Sequence, residues 1–494
     1  MRPETQASSG TKIACRFVAT RVVAGSAPTP VILTIDQGTS RQKVALFDQG
    51  GRLVAQHDAR NRELTDSAGR HQMASEWWQS ACTLATGLVS ADKVTVVAIA
   101  VSGRAGAGIF IDRHGDIVQE PWSDQRHSAE LADLRADFPD LSLYGATLLA
   151  KLLYRRRRTG GNDERCLYAK DYLVYRLCGR CVTDPSSGPD ALTWPAPVLR
   201  SRDIDVAQLP EVALPWQVVG EVSVSAAKEL GITTGTPVVL GAHDGICANV
   251  GAGVLGPDAF SLTLGTHGVV RSVVPSVPGA HVKRFYGMPP DLHVVGTTTL
   301  MSGRALDWLL DQAFADRSNR RVLFAELDAW AGEQPPGSDG VLFFPYLAGQ
   351  MSPRPRPGVR AGFHGLGLGH DRRHLYQAVL EGVSYAIAAN FDQLRDWLGD
   401  PGRVAVTGSA AASGPWVQML ADLTGHPLML TDVASEGRGA AIFASVALGY
   451  QPTLARAVGQ MVKTSGIVEP DDRRVARYGE LRATWQAAAD ALPD

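Results

Sequence analysis

Residues 31–48, VILTIDQGTSRQKVALFD, set one carboxylate and a hydroxyl-rich, glycine-containing turn between two apolar runs. Val31 to Ile35 reads as a buried strand and Val44 to Phe47 as its returning partner, leaving Asp36, Gly38, Thr39 and Ser40 on the connection. Gly38 lets backbone N–H groups approach an anion, Thr39 and Ser40 add donors, Lys43 adds charge, and Asp36 is suited to a magnesium ion or its waters. An ordinary hairpin with a polar turn has the same pattern, so the phosphate reading needs support from elsewhere in the chain. A second copy supplies it. Residues 259–274, AFSLTLGTHGVVRSVV, repeat the strand, Gly-Thr turn and strand, with Gly265, Thr266, His267 and Gly268 on the turn. Two hairpins of one design, early in each half of the chain, predict two similar α/β halves facing each other across a cleft, each with a phosphate loop.

At 494 residues, 45% hydrophobic and 20% charged, the chain is an ordinary globular protein large enough for two or more domains. A formal charge of −2, from 48 basic and 50 acidic residues, carries no footprint for nucleic acid. The one basic run, Arg155 to Arg158, ends a periodic stretch just before Gly160 and Gly161, where a helix terminus favours cations and a glycine stop. No run approaches the ~20 apolar residues of a membrane span. The first thirty residues lack a continuous apolar core and read as a flexible extension, 1–30. Six scattered cysteines predict no disulfide framework and a reducing, cytoplasmic setting, and Cys178 and Cys181 lack the second pair that a zinc site needs.

Along the chain, Lys93 to Val101 reads as a strand running into Ser102-Gly103-Arg104-Ala105-Gly106, with Gly108 to Asp112 returning as another. Trp122, Asp124 and Arg126 then alternate along an extended segment. An aromatic face with a carboxylate and a guanidinium suits a polyhydroxylated ligand, and a surface loop with an ion pair is the plainer account. Pro237 to Leu240 is a buried strand that ends in Gly241, and His243-Asp244 begins a helical stretch. At a helix N-terminus Asp244 is held ionised and able to take a proton from a bound hydroxyl, or it is a plain N-cap. Gly251 to Gly256 matches G-x-G-x-x-G but follows a helix and leads into a strand, the wrong context for a dinucleotide site. In the second half, helices are expected over Met301 to Phe314 and Leu375 to Leu398, and strands over Val341 to Tyr346 and Arg403 to Thr407. The last delivers Gly408, Ser409 and Ala410 to the start of a helix, where N–H groups can meet an α-phosphate. Glu436 to Leu448 opens a further helix whose glycines and alanines suit close packing.

Together these stretches, from IDQGTSRQK through PWSDQR, KDYLVYRLCG, GAHDGICANVGAG, SLTLGTHG, MSGRALDWLL, PYLAGQ, LEGVSYAI and TGSAAASGPWVQMLADLTG to SEGRGAAIFASVALG, resemble the FGGY family of carbohydrate kinases, most closely its xylulokinase-type pentulose branch. The resemblance implies a two-domain actin-like ATPase (ribonuclease H-like) fold with an inter-domain cleft, domains at 31–253 and 254–480, and ATP and Mg2+ as cofactors. It implies that Asp36 sits by magnesium and phosphate, that the two Gly-Thr hairpins flank the β- and γ-phosphates, that residues 408–413 meet the adenosine side, and that Asp244 is the general base. Arg104, Trp122, Asp124, Arg126 and His243 are the expected sugar contacts. The expected partner is a small sugar or polyol, without nucleic acid or membrane, in a homodimer.

The chain also departs from the family pattern. Arg104, Ala105 and Gly106 stand where xylulokinases carry Gln-Met-His, which widens the pocket, brings in a cation and points to a longer or acidic sugar, or to a differently held ketose or polyol. Gln350-Met351 replaces a Gly-Glu-Arg continuation, and Gly408-Ser409-Ala410 with Ala412 replaces a triple glycine with lysine. A sugar-sensing protein with the kinase fold and little turnover is the alternative.

Overall fold

Every residue from Val31 to Gln37 is buried, because the strand Thr29–Gln37 lies in the middle of a sheet. A strand covered on both faces reads as a near-continuous apolar run, and Val31 to Ile35 does, with Thr34 its one polar residue. The computed structural model describes residues 28–91, 94–160, 163–189, 191–288, 292–314, 320–431 and 435–494, so most of the expected extension 1–30 lies outside the described residues. The chain forms two units, one of residues Met1–Gly245 and Ala440–Leu454, the other of Ile246–Gly439 and Ala455–Asp494.

The first unit is built on a six-stranded sheet in the order Val218–Glu221, Pro237–Val239, Val94–Gly103, Thr29–Gln37, Arg41–Asp48, Leu53–Arg60. The three inner neighbours Pro237–Val239, Val94–Gly103 and Thr29–Gln37 run parallel, and the outer pairings are antiparallel. Helix Ala74–Ala91 buries Trp77 and Trp78 against this sheet, with Ala81, Leu84, Ala85 and Leu88 at helical spacing behind them. Ile109–Ile111 does not return to this sheet. It joins Ile117–Gln119 and Arg165–Leu167 in a separate three-stranded sheet, covered by helices Ser128–Asp137 and Leu143–Thr159 around Phe110, Trp122, Leu148 and Leu149. Gly160, at φ 67°, ends helix Leu143–Thr159 just after its arginines, as the glycine stop requires.

The second unit repeats the plan. Its sheet runs Thr464–Val468, Leu428–Thr431, Arg403–Thr407, Ala259–Leu264, Gly268–Val274, Leu292–Thr299, with Arg284–Met288 added at one edge. The pairings follow the first unit's sequence, antiparallel, parallel, parallel, antiparallel and antiparallel, so the two Gly-Thr hairpins occupy equivalent positions in equivalent sheets. Helix Arg372–Leu398, opened by a reciprocal cap between Asp371 and His374, lies across this sheet and buries Val379, Leu380, Val383 and Ile387. Leu342–Phe344 is a strand but, among the described residues, pairs with Gly362–His364 outside the main sheet. The small residues of helices Asp244–Gly251 and Ser435–Ala447 let their backbones touch: a Cβ on Gly251 would lie 1.9 Å from the Ser435 carbonyl oxygen, and one on Gly439 2.0 Å from that of Cys247.

Candidate functional site

Strand register builds the first half of the site. In Thr29–Gln37, Asp36 faces Lys43 across the antiparallel pair and Ser102 across the parallel one. The Ser102 hydroxyl donates to Asp36 at 2.9 Å and the Lys43 ammonium lies 3.7 Å away, which together support a carboxylate that is only 4% exposed. The turn beyond is braced from below. Asn61 donates to the carbonyls of Gly38 at 2.8 Å and Thr39 at 3.1 Å, and Gln72 donates to that of Thr39 at 3.2 Å. Thr39 and Ser40 stay exposed on top. Gly38 is needed because a Cβ there would sit 2.9 Å from the Arg41 carbonyl oxygen.

Asp244 enters from the neighbouring strand. After Pro237–Val239 the chain turns at Gly241, at φ 67°, so close to Val101 that a Cβ would lie 1.8 Å from its carbonyl oxygen. His243 then bridges Gly103, and Asp244 is the first residue of the helix that follows. The His243 ring stacks on Tyr144 with centroids 5.0 Å apart, its Nδ1 accepts from the Gly245 N–H at 3.0 Å, and the same atom lies 3.3 Å from an Asp244 carboxylate oxygen. An accepting Nδ1 leaves the neutral ring's proton on Nε2. The Asp244 carboxylate keeps 32% of its side-chain surface open.

Below this junction is a buried charge network that sequence reasoning missed. Lys170, Asp171 and Asp184 have no exposed surface; the Lys170 ammonium reaches Asp171 at 2.7 Å and Asp184 at 3.0 Å. Asp184 accepts from the Ser186 N–H at 2.9 Å and from the hydroxyls of Ser186 and Ser187. The Ser186 oxygen in turn accepts the His243 backbone N–H at 3.2 Å. Burial opposes the charge on Lys170, but Asp171 and Asp184 overcome it and hold its pKa above the ordinary lysine value. Burial likewise works against the Asp184 carboxylate, and Lys170 with the two serines overcomes it, so its pKa falls below the usual range. Burial raises that of Asp171. The available signal was Asp184-Pro185-Ser186-Ser187, an aspartate capping a short turn of helix, as it does here.

Arg104 follows Gly103 directly, beside Asp36's strand on one side and His243 on the other. Its N–H donates to the Gln37 carbonyl at 3.0 Å, its Nη2 donates to Gln72 at 3.1 Å, and its guanidinium lies 5.4 Å from the Trp77 ring centroid. Burial draws its pKa below the ordinary arginine value, against the pull of Asp244 and Glu63. The residues expected to share a sugar face with it are arranged differently from an open platform. Trp122 is extended only to the point of bridging His71, after which the chain bends. Its ring is 3% exposed, stacked on Phe110 at 5.9 Å, with the Arg126 guanidinium at 4.6 Å and the Lys151 ammonium at 4.7 Å. Asp124 accepts from the N–H and Nε of Arg126 at 3.0 and 2.9 Å. Lys151 donates to the Trp122 carbonyl at 2.7 Å, and burial pushes its pKa down to about 7.

In the second unit, Ala259–Leu264 and Arg403–Thr407 are parallel neighbours, so the turns that follow them leave the same end of the sheet. The Gly265 and Thr266 carbonyls accept the N–H groups of Gly303 at 2.9 Å and Ser302 at 3.1 Å, which ties the turn to the start of helix Gly303–Ala313, while Thr266 remains exposed. Gly408 has φ 96°, and a Cβ would lie 2.3 Å from the Leu264 carbonyl oxygen, so this position requires glycine. Ser409–Ala412 is a short 3-10 turn, with Ser409 exposed, and the Ser413 hydroxyl caps helix Gly414–Thr424 through the Trp416 N–H. The structure thus gathers Asp36, Lys43, Arg104, His243 and Asp244 at adjoining strand ends in one unit. It sets Gly265, Thr266, Gly408, Ser409 and Ala410 at adjoining strand ends in the other.

Comparison with known proteins agrees with this duplicated architecture. Residues 31–251 match the model of the FGGY family of carbohydrate kinases, N-terminal domain, and residues 259–448 match its C-terminal domain. A xylulose kinase from Escherichia coli strain K12 is 28% identical over 481 residues, covering 92% of this chain and 97% of its own. A gluconokinase from Bacillus subtilis strain 168 is 26% identical over 426 residues, covering 80% of this chain and 83% of its own. The crystal structure of ligand-bound xylulose kinase from Lactobacillus acidophilus superposes with a TM-score of 0.80 at 22% identity, covering 94% of this chain and 98% of that one, a likeness of fold.

Proposed function

The chain belongs to the FGGY family of carbohydrate kinases, and from that premise we propose that it transfers the γ-phosphoryl group of ATP to a hydroxyl of a sugar, ketose, polyol or sugar acid, with Asp244 as general base. The observation that carries the reading is the setting of Asp244. It is a partly open carboxylate at the first position of a helix, with its backbone fixed through His243 and the His243 ring beside it. As the substrate oxygen attacks the γ-phosphorus, its proton passes to the Asp244 carboxylate, the bond from phosphorus to the β,γ-bridging oxygen breaks, and ADP leaves with that electron pair.

Asp36 is the proposed anchor for Mg2+, which is commonly bound through one or two carboxylates together with nucleotide phosphates, so one buried carboxylate held by Ser102 and Lys43 fits it. When bound, the ion neutralises phosphate charge. Gly38, Thr39, Ser40 and Lys43, and in the second unit Gly265 and Thr266, are the proposed phosphate contacts; Gly408, Ser409 and Ala410 take the nucleotide. Arg104, Trp122, Asp124, Arg126 and His243 are assigned to the sugar side, Trp122 and Asp124 by fixing Arg126. We assign 31–253 to the sugar domain and 254–480 to the nucleotide domain.

Purified protein with ATP, Mg2+ and a panel of pentuloses, hexuloses, polyols and sugar acids tests the reading by coupled ADP release. Sugar-dependent ADP formation is the expected result. ADP formation that no member of the panel stimulates would count against it.

A further inference from the structure

The first unit holds an open cavity of about 300 Å³ whose lining includes Asp66, His71, Ile117, Val118, Glu120 and Arg126. One wall is the hairpin of Leu64–Asp66 and Gly69–His71, and the other is strand Ile117–Gln119 with the segment that follows it. Backbone bonds hold the walls together: Gln72 donates to the Pro121 carbonyl and Ser123 to that of Arg70, each at 3.0 Å. Gly69, at φ 118°, lets Asp124 come against the hairpin, since a Cβ there would lie 1.8 Å from its carboxylate oxygen. None of Asp36, Lys43, Arg104, His243 and Asp244 lines the cavity, and of the residues assigned to the sugar side it takes Arg126. Its volume reaches the lower end of the range for small-molecule sites, about 300–1,000 Å³.

Acceptors and donors face the same space. Glu120 is half-buried, accepts the Ala74 N–H at the head of helix Ala74–Ala91, and forms no ion pair with a lysine or arginine among the described residues. Burial raises its pKa above the usual carboxylate value. Asp66 accepts the Ala68 N–H at 2.8 Å and lies 3.7 Å from His71 Nδ1. Arg126 gives its Nε to Asp124 at 2.9 Å and makes no Nη bond among the described residues. An anion in this cavity would face two carboxylates, and a cation would face a guanidinium. A hydroxyl both donates and accepts, so a molecule with several hydroxyls meets the carboxylates and the guanidinium together. Ile117 and Val118 offer apolar surface to its C–H groups.

We propose that this cavity is an accessory binding site for a neutral monosaccharide or polyol, separate from the site of phosphoryl transfer. The inference goes beyond the kinase reading and does not depend on it.

Calorimetry on the full chain without nucleotide tests it, with xylitol, D-xylose and D-glucose as neutral probes and gluconate and glucosamine as anionic and cationic controls of similar size. The variants are V118W, which fills the cavity from an exposed strand position, and E120Q, which keeps an acceptor for the Ala74 N–H and removes the charge. Thermal melting checks that both fold. A neutral probe should bind the wild type, and that binding should be lost in V118W and weakened about tenfold in E120Q, the loss of one charge-assisted hydrogen bond. Failure of every neutral probe to bind, a Kd unchanged in V118W, or a preference for gluconate or glucosamine over D-glucose overturns the proposal. Because the readout is binding without nucleotide, a failure of phosphoryl transfer counts against the kinase reading and leaves this result unaffected.

Discussion

His243 donates its backbone N–H to the Ser186 hydroxyl oxygen at 3.2 Å, and the next residue along the chain is Asp244. The same hydroxyl donates to Asp184, which holds Lys170 at 3.0 Å, so a fully buried ion pair fixes the backbone beside Asp244, the proposed base. In Ser186→Ala the acceptor for the His243 N–H is lost, at a cost of about 1–3 kcal/mol for a buried donor left unpaired. The expected result is a fall in kcat of about tenfold, with the KM for ATP little changed, because catalysis needs the carboxylate placed within a fraction of an ångström. Ser186→Thr, which keeps the hydroxyl, should recover part of it. Equal kcat in wild type and Ser186→Ala, measured below the melting transition, would separate this network from the reaction.

Asp244→Asn retains shape and hydrogen-bonding capacity but cannot accept the proton. Its kcat should drop by about 10²- to 10⁴-fold, the usual contribution of a positioned base, with the substrate Kd changed by less than about fivefold. Single-turnover kinetics alongside calorimetry reads the two separately. Turnover near the wild-type rate would refute the base assignment.

Asp36→Asn preserves an acceptor for Ser102 and removes the negative charge near Lys43. If Asp36 anchors the ion that accompanies ATP, the Mg2+ concentration for half-maximal activity should rise by about tenfold or more, while the sugar Kd stays put. A Mg2+ titration of initial rates checks this; an unchanged midpoint places the ion elsewhere.

The parts of this site that were legible in the sequence are those written in consecutive residues. Val31 to Ile35 is apolar but for Thr34 because its strand is covered on both faces, and the Gly-Thr turn recurs because the sheet recurs, strand for strand. The glycines of Ser435–Ala447 were read as a close-packing surface, and Gly439 does meet the Cys247 carbonyl. What was hidden depends on register between distant strands. Ser102 supports Asp36 only because the two parallel strands are aligned so that they face each other. Lys170 and Asp184 meet only once helix Ala169–Cys178 and the turn at Pro185 are both in place. Trp122 shows the reverse failure. Its alternation with Asp124 and Arg126 reads as an extended segment, yet the chain bends after Trp122, and Phe110 and Lys151 come from other elements to cover the ring.

Lys151 gives a pH signature. It is 2% exposed, and burial lowers its pKa from 10.5 to about 7. Between those values the unfolded chain holds the proton and the folded chain does not, so the unfolded state binds more protons and stability rises with pH across the window. Below pH 7 both states are charged and the dependence vanishes. The slope from this group approaches about 1.4 kcal/mol per pH unit in mid-window. Urea unfolding at pH 7, 8 and 9 should therefore show a flatter rise in Lys151→Met, which keeps the stem over Trp122 without the titrating group. Parallel slopes in the two proteins would contradict the burial argument.

Gly408 and Gly425 separate two costs of a side chain at positive φ. Gly425 ends helix Gly414–Thr424 at φ 66°, and a Cβ there would meet nothing within 4 Å. Gly425→Ala should cost only the backbone term, about 1–2 kcal/mol. Gly408, at φ 96°, carries that term and more, since its Cβ would lie 2.3 Å from the Leu264 carbonyl oxygen in the strand that leads to Gly265. Gly408→Ala must therefore displace the Ser409–Ala412 turn, which carries the proposed nucleotide contacts Ser409 and Ala410, or the end of strand Ala259–Leu264, which leads to the proposed phosphate contacts Gly265 and Thr266. The expected contrast is a raised KM for ATP, by about tenfold for a contact displaced by an ångström, in Gly408→Ala and a near-normal KM in Gly425→Ala. If both variants lose thermal stability alike and both keep the wild-type KM, the 408–410 turn has no part in holding the nucleotide.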